Sequence, residues 1–302
     1  MAAEFIDKVK AQFSSASVLM RFIYVNIGVF ILLRIAAVVL KMFNLDINVV
    51  LDYVSMPSVL SILAIRPWTA ITYMFAHYDV WHILFNMLWF YWFGKMFLDV
   101  FSPRKFFGLY ILGGLGGAAL YLICYNILPF FETHPAMLIG ASASIIAIVV
   151  ATAMKSPQRR ITLFPFGSFS LKWIAIITIA IDLLSVGGDN AGGHIAHLGG
   201  GLIGLWFGYA DRRGRDITAW FSIVYESIKS MFKPKVKIEA GKRNRKYHYA
   251  PSQSTPTAAD EGMNAKDMDD LDAILDKIKQ SGYGSLSDAE RKRLFKVSGK
   301  KN

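Results

Sequence analysis

The 302-residue sequence holds a single cysteine, Cys124, inside an apolar run. No internal disulfide can form, so packing has to hold the fold. Nothing in the sequence reads as a cleavable signal peptide. The first apolar run is too long for a signal h-region and lacks a clear small-residue cleavage site, so it reads as a retained first helix. A His-Glu-x-x-His helix is missing, and the histidines have no embedded carboxylate near them in sequence, Asp79 being the closest. That weighs against a metal site. No convincing internal repeat is present, which weighs against a transporter or channel built from paired half-helices.

What the chain does have is apolar residues, 54% of the total, and a positive mean hydropathy. This composition fits a polytopic membrane protein with a soluble appendage. The net charge of +11 is unevenly placed, because 20 of the 33 Lys and Arg lie at or after Arg212. The excess belongs to the tail and suits a surface beside anionic lipid better than nucleic-acid recognition.

Six apolar segments can be drawn, over 22–42, 80–98, 106–127, 137–153, 171–184 and 194–210. The last three are short against the roughly 20 residues a span needs. Segment 44–77 is too long for a tight turn and reads as a structured, partly interfacial loop containing Pro57, Pro67, Trp68 and Tyr73. Lys8, Lys10 and Arg21 precede the first segment, and Arg104 and Lys105 separate the second and third. Lys155, Arg159 and Arg160 separate the fourth and fifth, and Arg212, Arg213 and Arg215 follow the sixth. The alternate loops carry almost no base, with Arg66 alone in the first, so the positive-inside rule places both termini in the cytoplasm. Arg34 lies deep in the first segment, and the sequence names no partner for it.

In this orientation Ser142, near the start of the fourth segment, and His197, near the start of the sixth, reach the same depth on the outer side. Serine needs a base to become a nucleophile at neutral pH, and histidine has the matching pKa. Ser142 also sits near a helix N-terminus, where free amides favour developing negative charge. The small residues Gly140, Ala141 and Ala143 leave room for a carbonyl. By themselves Ser142 and Ser144 equally suit ordinary packing in a membrane helix. His82 and Asn86 are four apart on one helix face and can donate to an oxyanion, or clamp two helices without chemistry. Gly200, Gly204 and Gly208 form a close-packing stripe after His197. His194, one turn earlier, suits a supporting group or a residue at the water interface. Asp182 is the closest candidate for a third triad member, but nothing in the sequence ties it to His197, so a dyad is expected.

Together these residues resemble the rhomboid family of intramembrane serine proteases over about residues 22–211. The resemblance rests on Gly140-Ala141-Ser142, on His197-Leu198-Gly199-Gly200 with Gly204, and on His82 with Asn86. It implies an all-α membrane protein with a six-helix core, Ser142 as nucleophile and His197 as general base. The oxyanion would be held by the Ser142 backbone amide, His82 and Asn86, with Gly140, Gly200, Gly204 and His194 in support. It also implies single-span or polytopic membrane-protein substrates, whose helix arrives laterally and unwinds near its outer end. The charge bias, with a C-terminal unit that resembles small extensions found after some bacterial rhomboid cores, suggests a bacterial inner membrane. The sequence departs from the family where Ala143 replaces a frequent glycine and where Thr69, not arginine, follows Trp68. His197 is taken as the base because Gly200 and Gly204 follow it at the family's spacing. The competing reading is an inactive rhomboid-like protein that binds membrane clients, whose simplest mark would be loss of Ser142 or His197.

The expected organisation is a cytoplasmic segment over 1–21, the core over 22–211, a basic and amphipathic segment with a linker over 212–262, and a small helical unit over 263–302. Residues 217–232 read as an amphipathic surface helix, 233–246 as a basic contact for anionic headgroups, and 251–262 as a flexible linker. Met268, Leu271, Leu275 and Ile278 fall at helical spacing, ended by Gly282 and Gly284. Ser287-Asp288-Ala289-Glu290 has the form of a capping box.

Overall fold

The computed structural model describes residues 2–132, 134–163, 167–231, 273–279 and 285–298. They are mostly helical and fall in two compact units divided between Val236 and Lys237.

In the first unit α1 (Ala2–Ser15) leads to α2 (Val18–Met42), whose N-cap Ser17 accepts from the Met20 amide. Phe22 anchors α2 against Tyr110, 4.3 Å between ring centres. Arg34, farther along α2, lies over the Tyr78 ring at 4.9 Å. The following connection folds into α3 (Asn48–Val54), strand β1 (Met56–Pro57), α4 (Leu60–Ile65), α5 (Thr69–Thr72) and a 3-10 turn over Tyr73–Phe75. Arg66 holds this loop. Its guanidinium stacks on Tyr53 at 4.1 Å and donates to the Asp52 carbonyl at 2.8 Å. The Trp68 indole donates to the Tyr53 carbonyl at 2.9 Å. An arginine contact thus exists here although Thr69 follows Trp68, because it comes from two positions earlier.

The chain continues through α6 (Val80–Leu98), α7 (Pro103–Ile127), the short α8 (Pro129–Glu132), β2 (Met137–Leu138) and α9 (Ser142–Lys155). A hairpin of β3 (Arg160–Leu163) and β4 (Gly167–Ser170) precedes α10 (Leu171–Leu184), α11 (Ala191–Arg212) and α12 (Phe221–Met231). The fourth apolar segment is not helical from residue 137. Met137 and Leu138 pair with β1, and Gly140 at φ +120° turns the chain, so the helix starts at Ser142. Hydropathy alone reads such a strand as more helix, because both are apolar.

Helix α9 is buried all round, from Ala143 to Ala153, which marks it as the central helix. It is enclosed by α6, α7, α10 and α11. Small residues permit this. Side-chain atoms added at Gly113 and Gly117 of α7 would come within 2.5 and 2.6 Å of the Ala147 and Ala143 methyls. On the α11 side, one at Gly204 would come within 2.6 Å of the Ala147 carbonyl, and one at Gly200 would overlap the Ala143 carbonyl. The Ala143 methyl therefore fills space that Gly117 vacates. Gly208 in turn abuts Met154.

Charges gather at one end of this unit. Lys105 and Lys155 each bond Asp211 at 2.8 Å, and Arg159 bonds Asp99 at 2.6 Å. These contacts join the C-terminal ends of α6, α9 and α11 to the start of α7, so Ser142 and His197 lie toward the opposite ends of α9 and α11. Among the described residues, α2 and α7 are long and apolar enough to cross a membrane, and α9 is a shorter apolar helix. Helix α12 packs on the start of α7 through Phe107–Tyr225 and Arg104–Glu226, leaving Trp220, Ile223 and Met231 exposed.

The second unit contains a helix over 273–279 (α13) and α14 (Asp288–Ser298). Glu290 accepts from the Ser287 amide at 2.7 Å while the Ser287 hydroxyl accepts from the Glu290 amide at 3.4 Å, which is the reciprocal capping box. Ile274 is buried and Leu275 is 47% exposed, so the apolar face runs through Ile274 and Ile278, and Leu275 is not on it. Met268, Leu271, Gly282, Gly284 and the stretches 233–246 and 251–262 lie outside the described residues.

Candidate active site

Ser142 is the first residue of α9. The turn before it is fixed by two amides: Gly140 N–H donates to the Tyr73 carbonyl at 2.9 Å, and Ala141 N–H donates to His77 Nε2 at 3.3 Å. His197 lies about two turns into α11, and its Nε2 is 2.7 Å from Ser142 Oγ. The contact follows from the glycine-lined approach of α11 to α9 at Gly200. The hydroxyl and imidazole that the sequence placed at one depth are brought together.

Helix α6 supplies the next groups. Asp79 caps it by accepting from the His82 amide at 2.8 Å. A side-chain atom at Gly140 would lie 2.7 Å from the His82 ring and 3.8 Å from Asn86 Nδ2, so both side chains converge on the turn carrying Ser142. The Ser142 amide belongs to the first turn of α9, where amides have no intrahelical acceptor. The His82 and Asn86 side chains thus flank the turn from which the Ser142 amide projects.

His77, three residues before α6, organises this wall. It is fully buried, and its Nε2 lies 3.1 Å from Asn86 Nδ2. Burial, followed by the neighbouring His82 ring, pushes its pKa down to about 3. A neutral ring whose Nε2 accepts from Asn86 and Ala141 carries its proton on Nδ1. Its position five residues before His82 was the available signal.

Asp182, the nearest candidate acid in the sequence but with no sequence link to His197, reaches that histidine in the structure. Asp182 Oδ1 lies 2.8 Å from His197 Nδ1 and 2.8 Å from His194 Nδ1. The carboxylate comes from α10 and is buried, with its side chain 5% exposed. Sequence could not link it to His197, because the two sit on separate helices whose rotations only packing determines. His194 and His197 are three apart and so share the α11 face toward α10. The three side chains each offer a metal-ligand atom, all within 4.8 Å of one another. Tetrahedral zinc ligands sit roughly 3.3 Å apart, so the 2.8 Å separations fit hydrogen bonds better than a metal site.

These groups open into a cleft of about 690 Å³ lined by Trp81, Phe85, Asn86, Ser142, Asp182 and His197 among others. An apolar cleft with a few convergent polar groups is the usual form of a binding site.

Residues 65–214, which contain every one of these side chains, match the Rhomboid domain. The chain belongs to the rhomboid family, whose members are membrane-embedded. It is 29% identical over 67% of its length to RHOMBOID-like protein 12, mitochondrial, of Arabidopsis thaliana, covering 60% of that protein. It is 32% identical over 44% of its length to presenilin-associated rhomboid-like protein A, mitochondrial, of Danio rerio, covering 34% of it. It is 27% identical over 45% of its length to rhomboid protein 1, mitochondrial, of Saccharomyces cerevisiae, covering 39% of it. The matched segments thus span less than two thirds of these relatives. All three carry mitochondrial names, so they lend no support to the expected bacterial inner membrane. Residues 263–300 match a family of unknown function (DUF6576).

Proposed function

We propose that this chain is an intramembrane serine endopeptidase. Six helices, α2, α6, α7, α9, α10 and α11, form the membrane core, with both termini on the side of the base-rich loops. The substrates are single-span or polytopic membrane proteins, whose helix approaches laterally and unwinds beside the cleft. The basic tail contacts anionic lipid. Ser142 is the nucleophile and His197 the general base. Ser142 Oγ attacks the scissile carbonyl carbon while its proton passes to His197 Nε2. The carbonyl oxygen takes the negative charge and is held by the Ser142 amide, His82 and Asn86. Collapse of this intermediate returns the proton to the leaving amine, and water repeats the sequence to release the acid. No cofactor takes part.

The observation that supports this most is the 2.7 Å separation of His197 Nε2 and Ser142 Oγ within a rhomboid domain. A fluorophosphonate probe tests it. Labelling of the wild type and none of Ser142→Ala is expected, and labelling that persists in Ser142→Ala places the nucleophile elsewhere.

A further inference from the structure

We propose that Asp182, His194 and His197 form an inhibitory zinc site, entered from the cleft, on the face of His197 turned away from Ser142. The ion is a visitor: the hydrogen-bonded arrangement is the ion-free state and the active one. Binding of the ion stands apart from the protease reading, and only its effect on cleavage rests on that reading.

Both Nδ1 atoms point at one carboxylate oxygen, Asp182 Oδ1, at 2.8 Å. The three residues offer two imidazole nitrogens and a carboxylate oxygen within 4.8 Å of one another. Two histidines and one carboxylate are a donor set that zinc takes in open sites, where water fills the fourth position. Imidazole nitrogen suits zinc, whereas calcium and magnesium prefer oxygen. The second oxygen, Asp182 Oδ2, is buried with no hydrogen-bond partner among the described residues. The carboxylate therefore keeps acceptor capacity that the hydrogen-bonded state leaves unused. The His194 and His197 side chains are 23% and 20% exposed, which leaves them within reach of an ion. Among the described residues, the cleft lining includes the carboxylates of Asp79 and Asp182 and no lysine or arginine. A dication thus meets negative charge, a route in and room for a water ligand.

The inhibition follows from where the protons go. A carboxylate only accepts, so in the ion-free state each neutral ring carries its proton on Nδ1. Zinc needs a bare nitrogen. Its arrival on the two Nδ1 atoms breaks two Nδ1–H bonds, and two Nε2–H bonds form in their place. No proton is released, and the carboxylate stays ionised. The nitrogen–oxygen separations widen from 2.8 Å to the roughly 3.3 Å of a tetrahedral centre, which side-chain rotation can supply. His197 Nε2 lies 2.7 Å from Ser142 Oγ. Once protonated, it donates to that oxygen and cannot take the serine's proton. Zinc thus removes the base and leaves the nucleophile untouched.

The test uses full-length protein in lipid vesicles with a single-span substrate, in zinc-buffered solution. Micromolar zinc chloride should suppress cleavage by the wild type, and EDTA should restore it. Calcium or magnesium chloride should leave the rate alone. In His194→Ala, read against its own zinc-free rate, half-inhibition should need about tenfold more zinc or higher, since even an outer partner of a zinc ligand is worth that much. A wild type indifferent to micromolar zinc, or a smaller rise in His194→Ala, overturns the proposal. Equilibrium dialysis against zinc chloride reads the site without turnover. The wild type should hold one zinc ion per chain more than His194→Ala, and equal binding overturns the proposal. For a variant that fails to fold, the unaltered chain labelled with 15N-histidine decides. Zinc should carry the His197 proton from Nδ1 to Nε2, and unchanged His194 and His197 resonances overturn the proposal. An inactive wild type that binds the ion in this way counts against the protease reading and leaves the zinc site standing.

Discussion

His197 Nε2 and Ser142 Oγ lie 2.7 Å apart although 55 positions separate them in the chain. The contact depends on α11 riding close over the start of α9, which Gly200 allows. It also distinguishes the two histidines of α11, because His194 reaches Asp182 and His197 reaches both Asp182 and the serine.

That distinction predicts unequal variants. His197→Ala should lower kcat by about 10³-fold or more, since it removes the proposed base. His194→Ala should cost less than about tenfold, since it removes one of two donors to Asp182. Steady-state cleavage kinetics on purified variants check the ranking, and the reverse order would transfer the base to His194.

The donors on α6 predict effects on kcat. His82→Ala and Asn86→Ala should each lower kcat by about 10²–10³-fold with little change in KM, as expected for groups that meet charge only in the transition state. His77→Ala should produce a smaller loss of the same kind, because it frees Asn86 and the Ala141 amide to drift. Its ring is buried and neutral, with a pKa near 3, so activity above pH 5 should show no titration from His77. A kcat limb that disappears in His77→Ala would contradict this.

Close packing predicts which glycines are indispensable. Gly200→Val should lower Tm and abolish cleavage together, because its side chain would occupy the Ala143 carbonyl. Gly140→Ala should reduce activity more than stability. It strains one turn at φ +120° and pushes on the His82 ring. Thermal unfolding and cleavage measured on the same samples separate these outcomes.

Much of this was legible in the sequence, and the missing parts share a cause. Segments 80–98 and 171–184 coincide with α6 and α10, because a long apolar run between turn residues has few other solutions. Ser142, His197, His82 and Asn86 were nameable since each sits in a short local pattern. What escaped depends on rotation and partner choice between helices. Asp182 reads as a polar residue near a helix end until α10 is docked on α11. Met137 and Leu138 read as helix until β1 is present to pair with them. Arg34 had no nameable partner because Tyr78 approaches it from 44 positions away.

The capping box predicts an acid-sensitive end. The Lys277 ammonium, then the Ser287 amide and hydroxyl, hold the Glu290 carboxyl down to about 2 against an ordinary 4.5. A folded-state value below the unfolded one means that this stabilisation is complete above about pH 4.5 and is lost as pH falls toward 2. Helix signals from 288–298 in full-length protein should weaken over that window. In Glu290→Gln they should be weaker at neutral pH already and insensitive to acid.

The most direct measurement uses purified wild type, Ser142→Ala and His197→Ala, each reconstituted in lipid vesicles with a single-span membrane substrate. Cleavage by the wild type, with both variants reduced to background, is the result expected of a serine nucleophile and its base. Equal cleavage by all three, from variants shown to be folded, would contradict the account.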